Sequence, residues 1–82
     1  MSYEKINEAV EVLALFKKDK AMPFILKWGQ LQIRVLKVNM VNKFYIGDTL
    51  CYYFFVSDES NSFKLFFDTE NLKWRLEEVY SE

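Results

Sequence analysis

The chain has 82 residues, of which 51% are hydrophobic, 18% aromatic and 28% charged, and its formal net charge is −1. This composition excludes a disordered chain, and the length allows one small domain, which we take as residues 1–82. The near-neutral charge leaves no basic tail to hold a nucleic acid. No segment approaches the roughly 18 apolar residues of a membrane-spanning helix. The single cysteine, Cys51, excludes an intramolecular disulfide, so we expect a soluble cytoplasmic protein.

The N-terminal segment is predicted to form an amphipathic helix over about residues 3–18. Ser2 suits the N-cap, and the lysines around Lys18 suit the negative end of the helix dipole. Apolar residues recur at helical spacing on one stripe, with acidic residues on the opposite side. The stripe consists of Ile6, Ala9, Val10, Leu13 and Phe16. Pro23 then excludes a continued helix and opens the first strand.

Five strands are predicted for the rest of the chain, over about residues 23–28, 31–45, 49–58, 62–68 and 73–80. Two-residue turns at Gly29-Gln30 and Gly47-Asp48 join the first three strands. A loop at residues 59–61 and a turn at residues 69–72 join the last three. The predicted fold is therefore α+β, with the N-terminal amphipathic helix packed on a curved five-stranded antiparallel β-meander.

The turns also predict which residues face each other across the sheet. A type II′ turn with Gly29 at its first central position pairs Trp28 with Leu31. The apolar pattern changes sides between Val35 and Leu36, which predicts a bulge or a sharp bend there. The other predicted pairs are Leu26 with Ile33, Met40 with Phe55, Val41 with Phe54, Lys37 with Asp58, Phe55 with Leu65, Tyr53 with Phe67, Trp74 with Phe67 and Leu76 with Leu65.

This register divides the aromatic residues between the two faces of the sheet. The face that the helix would cover holds the predicted core, which comprises Phe24, Leu26, Trp28, Val38, Met40, Tyr53, Phe55, Phe63, Leu65, Phe67, Trp74 and Leu76. The reverse face has no predicted cover. Its aromatic and basic members are the candidate partner-binding residues Tyr52, Phe54, Phe66, Arg34, Lys64 and Arg75.

Three interpretations of this reverse face are open. The sheet can curl and bury the aromatic side chains itself, or the stems of the basic residues can cover them. The face can be a protein interface, most simply that of a two-fold homodimer. It can also stack the bases of a single-stranded nucleic acid, although the net charge of −1 disfavours this. The leading hypothesis is an interaction module that binds a protein partner or itself.

Residues with catalytic chemistry are scarce in the sequence. The chain has no histidine, which excludes histidine-based nucleophilic catalysis and histidine-ligated metals. Its two glycines are assigned to turns, so no phosphate-binding loop is predicted. The carboxylates around Asp58 and Asp68 are predicted to lie in hairpin loops. We therefore expect no enzymatic activity, no catalytic or cofactor-binding residue, no cofactor and no metal site.

The strand region resembles a known family. The segments that carry the resemblance are Pro23-Phe24-x-x-Lys27-Trp28 with Gln32-x-Arg34, then Tyr52 to Asp58, Phe63-x-Leu65-x-Phe67-Asp68 and Trp74-x-Leu76-x-x-Val79-Tyr80. Over residues 23–80 they are similar to a small bacterial β-rich domain of unknown function, which occurs alone or at the C-terminal end of proteins resembling Y-family DNA polymerases. The usual Asp-Gly turn of that family is replaced here by Glu59-Ser60-Asn61. The resemblance implies the strand count and a link to DNA metabolism, and it implies no catalytic residue.

Overall fold

A computed structural model of the protein describes residues 2–18 and 20–81. Within these ranges the chain forms seven strands in one antiparallel sheet and contains no helix. In chain order the strands are β1 Ser2–Lys17, β2 Lys20–Trp28, β3 Leu31–Arg34, β4 Lys37–Ile46, β5 Thr49–Ser57, β6 Asn61–Asp68 and β7 Lys73–Ser81. The described residues therefore contain no helix that could span a membrane.

The predicted N-terminal helix is wrong, and the α+β class and five-strand sheet are wrong with it. Residues 3–18 lie almost entirely in β1, which pairs with β7 through its first half and with β2 through its second half. Apolar residues occur on both faces of β1: Val10 and Val12 pack against the core, whereas Leu13 is 62% exposed. A strand with apolar side chains on both faces loses its two-residue alternation, and the remaining pattern fits a helical stripe equally well.

The strand order across the sheet is β3-β2-β1-β7-β6-β5-β4, so the first and last strands of the chain are neighbours. The short segment between β3 and β4 shows how strongly this sheet curls. The Val35 N–H donates to the Phe24 carbonyl of β2 at 2.8 Å, and the Leu36 N–H donates to the Ser57 carbonyl of β5 at 2.9 Å. Two consecutive residues thus bond to strands near opposite ends of the strand order. The bend predicted between Val35 and Leu36 lies here, because β3 ends at Arg34 and β4 begins at Lys37.

Most of the predicted cross-strand pairs are present in the structure. Gly29 and Gly47 both have φ 60°, as type II′ turns require, and the pairs that depend on those turns form. The pairs found as predicted are Trp28–Leu31, Leu26–Ile33, Met40–Phe55, Val41–Phe54, Trp74–Phe67 and Leu76–Leu65. Lys37 pairs with Ser57 rather than Asp58, because a bulge between Val38 and Met40 shifts the register.

The predicted register of the β5–β6 hairpin is wrong by one residue. Asp58 belongs to the turn, where its Oδ1 accepts the N–H groups of Ser60 at 2.8 Å and Asn61 at 2.7 Å. Phe54, not Phe55, therefore pairs with Leu65. A slip of one residue turns every side chain of a strand to the opposite face, so β5 presents its two faces the other way round from the prediction.

The core fills the concave side of the curled sheet. Its fully or nearly buried hydrophobic cluster is Leu26, Phe54, Val56, Phe63, Leu65, Phe67, Trp74 and Leu76. The ring of Trp74 stacks on Phe67 at a centroid distance of 4.3 Å and contacts Phe54 at 5.4 Å. Aromatic contacts of this kind add to the burial of apolar area.

Candidate functional site

The structure separates the six predicted partner-binding residues into two groups. Tyr52 and Phe54 lie on the inner face of β5, where Phe54 has no exposed area. The prediction that Phe54 lies on an uncovered face is therefore wrong. Arg34 pairs with Ile25 at the far side of the sheet and lines a depression of about 690 Å³ beside the bend. Lys64, Phe66 and Arg75 lie together on the outer face of β6 and β7 and form the centre of the candidate site.

A group of aromatic side chains surrounds these three residues on the outside of the sheet. Phe44 stacks on Tyr53 at a centroid distance of 4.7 Å, and Phe66 lies 5.7 Å from Tyr53 and 6.1 Å from Phe44. Phe55 completes the group. We call Phe44, Tyr53, Phe55 and Phe66 the outer aromatic surface; all four side chains are partly exposed. The sequence prediction missed Tyr53 and Phe55, because the predicted register of the β5–β6 hairpin, which is wrong by one residue, assigned them to the core.

Two cations lie directly over these rings. The Lys64 Nζ is 4.3 Å from the centroid of Tyr53 and 5.7 Å from that of Phe55. The Arg75 guanidinium carbon lies 4.7 Å from the centroid of Phe66. Each contact is within the range of a cation–π interaction, which is worth about 0.5–1 kcal/mol at an exposed site. The aliphatic stems of the two side chains also cover part of the ring surface.

One carboxylate holds both cations in place. Glu77 is the extra residue of a β7 bulge opposite Lys64 and Leu65, and it is only 9% exposed. Its Oε2 accepts a hydrogen bond from the Arg75 Nη2 at 2.8 Å, and its Oε1 lies 3.8 Å from the Lys64 Nζ. A carboxylate this far removed from water requires such partners. The bulge therefore supplies a charge that fixes Lys64 and Arg75 over the aromatic rings.

A second carboxylate lies farther along β7 and joins that strand to β1. Glu78 accepts hydrogen bonds from the hydroxyl of Tyr80 and from that of Tyr3, the latter at 3.1 Å. The Tyr80 hydrogen bond, followed by that of Tyr3, holds the pKa of Glu78 below its ordinary value. The same bond, with burial and the negative charge of Glu78, raises the pKa of Tyr80 to about 12. The hydrogen bond from Tyr3 to Glu78 joins β1 to β7, the first and last strands.

Two further observations concern the metal-ligating and nucleophilic side chains of the described residues. Within residues 2–18 and 20–81, no three His, Cys, Asp or Glu side chains are grouped so that they could hold a metal ion. Burial, followed by the negative charge of Asp68, raises the pKa of the Cys51 thiol and so disfavours the reactive thiolate.

Comparisons with the models of protein families, with curated proteins and with solved structures find no match to this chain. The similarity of residues 23–80 to a bacterial domain linked to Y-family polymerases therefore stays a prediction.

Proposed function

We propose that this chain is a small, non-catalytic interaction module that binds a protein through its outer aromatic surface, the protein being either a different partner or a second copy of the chain. The observation that carries the proposal is the cluster of Phe44, Tyr53 and Phe66, whose rings touch one another on the outside of the sheet. Contiguous aromatic area on the outside of a small domain is typical of an interaction site.

The composition of this surface supports a protein partner. Tyrosine, phenylalanine and arginine are enriched in protein interfaces, and they dominate binding energy where they are already held rigidly. Glu77 fixes the Arg75 side chain before any partner arrives, so that less conformational entropy is lost on binding. Met40, at 53% exposure, extends the apolar area from β4. We place the module in the cytoplasm, since its buried free thiol, Cys51, suits a reducing compartment.

Single-stranded nucleic acid is the alternative ligand for the same rings. The pairing of Lys64 and Arg75 with Glu77 weighs against it, because that carboxylate already neutralises part of the positive charge that phosphates would contact. Lys64 also occupies one face of the Tyr53 ring, on which a base would have to stack. We therefore favour the protein partner.

Analytical ultracentrifugation over a range of micromolar concentrations tests whether the partner is a second copy. If so, we expect a dimer in the parent protein and a monomer in Phe66→Glu, because a carboxylate in a desolvated aromatic interface is strongly unfavourable. Leu72→Glu is the matched control: Leu72 is 72% exposed and lies in the β6–β7 turn, away from the surface.

If the parent protein is monomeric, affinity capture with immobilised parent, Phe66→Glu and Leu72→Glu proteins tests a different partner. A protein captured by the parent and by Leu72→Glu, and not by Phe66→Glu, is the expected result. Equal capture by all three proteins would place binding elsewhere on the molecule. Tight, salt-sensitive binding of a short single-stranded oligonucleotide, lost in Arg75→Ala, would overturn the protein-binding proposal in favour of nucleic acid.

A further inference from the structure

The β4 strand, Lys37–Ile46, is an open edge of the sheet. Among the residues that the structure describes, β4 has a paired neighbour on one side only, β5. Ile46 pairs with Thr49 across the two-residue turn, so alternate residues of β4 direct their N–H and C=O groups away from β5. These residues are Val41, Lys43 and Tyr45. A row of unpaired backbone groups of this length is a template for a further strand.

Lys37 and Lys43 disfavour pairing of this edge with a second copy of itself, but the other side chains of β4 leave the edge open. On the inner face, Val41 is 43% and Tyr45 is 69% exposed; on the outer face, Met40 and Ile46 are exposed as well. The opposite edge of the sheet differs, because β3 spans only Leu31–Arg34. Natural proteins commonly protect an edge strand by keeping it as short as β3 or by covering it. In β4, ten residues with apolar side chains on both faces remain open.

The charge of β4 indicates which kind of strand fits beside it. The strand carries Lys37 and Lys43 and no acidic residue. Neither lysine has an ion-pair partner within residues 2–18 and 20–81. Lys43 projects on the inner face, where its Nζ lies 5.8 Å from the centroid of Tyr52. A second copy of β4 would bring further lysines to this edge, whereas an acidic strand would pair with them favourably.

We propose that the β4 edge binds an extended segment of a partner protein in which acidic and apolar residues alternate, and that this segment adds to the sheet as an eighth strand. Main-chain hydrogen bonds to Val41, Lys43 and Tyr45 supply much of the affinity. Apolar side chains of the segment lie beside Met40 and Phe44 and extend the outer aromatic surface. Acidic side chains, on the other face, lie beside Lys43. The inference rests on the proposed protein-binding function and specifies its mode.

The probe is an acetylated and amidated nine-residue peptide in which glutamate alternates with valine, titrated into the ¹⁵N-labelled full chain. We expect amide chemical-shift changes concentrated in β4 and β5. A peptide in which lysine replaces every glutamate should bind at least about tenfold more weakly, because it places like charges beside Lys43. A second variant of the glutamate peptide carries methyl groups on the alternate backbone nitrogens that face β4. It should not bind, because the methyl groups remove the N–H donors to β4.

Two variants at one position separate charge from backbone pairing. Lys43→Ala removes the charge and keeps the N–H, so it should weaken the glutamate peptide only in part. Lys43→Pro also removes the N–H that points away from β5, and it should abolish binding while the β4–β5 ladder remains. The spectrum of each variant checks that it is folded. Should Lys43→Pro not fold, the methylated peptide makes the same test on the parent protein.

Phe66→Glu distinguishes this inference from the proposed function. Phe66 lies on β6, two strands away from the edge, but its ring is 6.1 Å from that of Phe44, so Phe66→Glu should weaken peptide binding only in part, whereas Leu72→Glu should bind the peptide as the parent does. Loss of peptide binding in Phe66→Glu together with unchanged binding in Lys43→Pro would overturn the edge site and leave the outer aromatic surface as the binding site. Absence of binding by the parent, equal binding of the lysine and glutamate peptides, or a dimer that Lys43→Pro dissociates would also overturn the inference.

Discussion

The three C-terminal strands and the β1–β2 hairpin have similar apolar content, but the C-terminal strands bury much more of it. β5, β6 and β7 bury almost every large inward side chain, including Phe54, Leu65 and Leu76. In the β1–β2 hairpin only Leu26 is a fully buried large hydrophobic residue, while Leu13 and Phe16 are largely exposed. The difference follows from what each region contributes: β6 has a partner on each side and the core beneath it, whereas the hairpin supplies mainly small or partly buried side chains to that core, such as Val12, Ala14 and Ala21. Apolar content by itself therefore says little about burial in this molecule.

Truncation of Phe54 should cost the most stability. The side chain is fully buried between strands and contacts Trp74, so Phe54→Ala should lower the free energy of unfolding by about 3–5 kcal/mol. Urea unfolding followed by tryptophan fluorescence measures it. Phe66→Ala, on the outer face of the neighbouring strand, is the control and should cost clearly less. Equal losses in the two variants would mean that β5 faces the other way.

A smaller loss is expected when the bulge carboxylate of β7 loses its charge. Glu77→Gln keeps the shape of the side chain and weakens its bonds to Arg75 and Lys64, which should cost about 1–3 kcal/mol. Glu11→Gln, whose exposed carboxylate lies 3.9 Å from the Lys27 Nζ, is the matched control and should change stability by less than about 1 kcal/mol. Thermal unfolding of both variants at low and high salt gives the comparison. An unchanged melting temperature for Glu77→Gln would show that the ion pairs contribute nothing.

The hairpin itself should tolerate truncation of an apolar side chain. Leu13 is 62% exposed, so Leu13→Ala should cost less than about 1 kcal/mol. Leu26→Ala, in the strand that pairs with it, should cost about 2–5 kcal/mol because Leu26 is fully buried. The same urea titration measures both. A loss at Leu13 as large as that at Leu26 would restore the interpretation of this segment as a core element.

The cluster of Tyr3, Glu78 and Tyr80, which joins β1 to β7, should make the stability depend on pH. The pKa of Tyr80 is raised from 10.0 to about 12, so its hydrogen bond to Glu78 contributes stability fully below pH 10 and loses it as the pH rises toward 12. The pKa of Glu78 is lowered, so its contribution is present above its ordinary pKa of 4.5 and is lost as the pH falls through the lowered value.

Tyr80→Phe should remove the loss of stability at alkaline pH and reduce the loss of stability at acidic pH. Melting temperatures from pH 3 to pH 12 measure both limbs. Tyr45→Phe is the control, because Tyr45 is largely exposed and makes no hydrogen bond through its hydroxyl within residues 2–18 and 20–81. A parent and a Tyr80→Phe protein with identical pH profiles would exclude the linkage.

Local signals made much of the sheet predictable. The turns at Gly29 and Gly47 are set by a few neighbouring residues, and they fixed the pairing of the strands that they join. β1 was not predictable in this way, because its pairing with β7 joins residues at opposite ends of the chain and its own alternation is lost. The slip at Asp58 depended on a side-chain hydrogen bond within the turn, which strand periodicity does not report.

The same contrast applies to the candidate site. Lys64, Phe66 and Arg75 were placed on one face because the β6–β7 register followed from its turn. Tyr53 and Phe55 were assigned to the wrong face because of the slip between β5 and β6. Phe44 was missed for the same reason, because the faces of β4 follow those of β5. Alternation along β7 already puts Glu77 on the face of Arg75, but its place between two cations depends on a bulge, which strand periodicity does not report.

The pairing of β1 with β7 also has a consequence for how the chain could be rearranged. Ser2 lies opposite Ser81, so a short glycine-rich linker could join the two ends without disturbing the sheet. New ends opened at the Gly47-Asp48 turn would then make β7 and β1 a local hairpin, and the most distant contact in sequence would become one of the nearest. Folding rates rise as the mean sequence separation of contacts falls. The cut makes the β4–β5 pairing the most distant one instead, so the mean separation changes little, and a change in the folding rate would show which of the two strand closures limits folding.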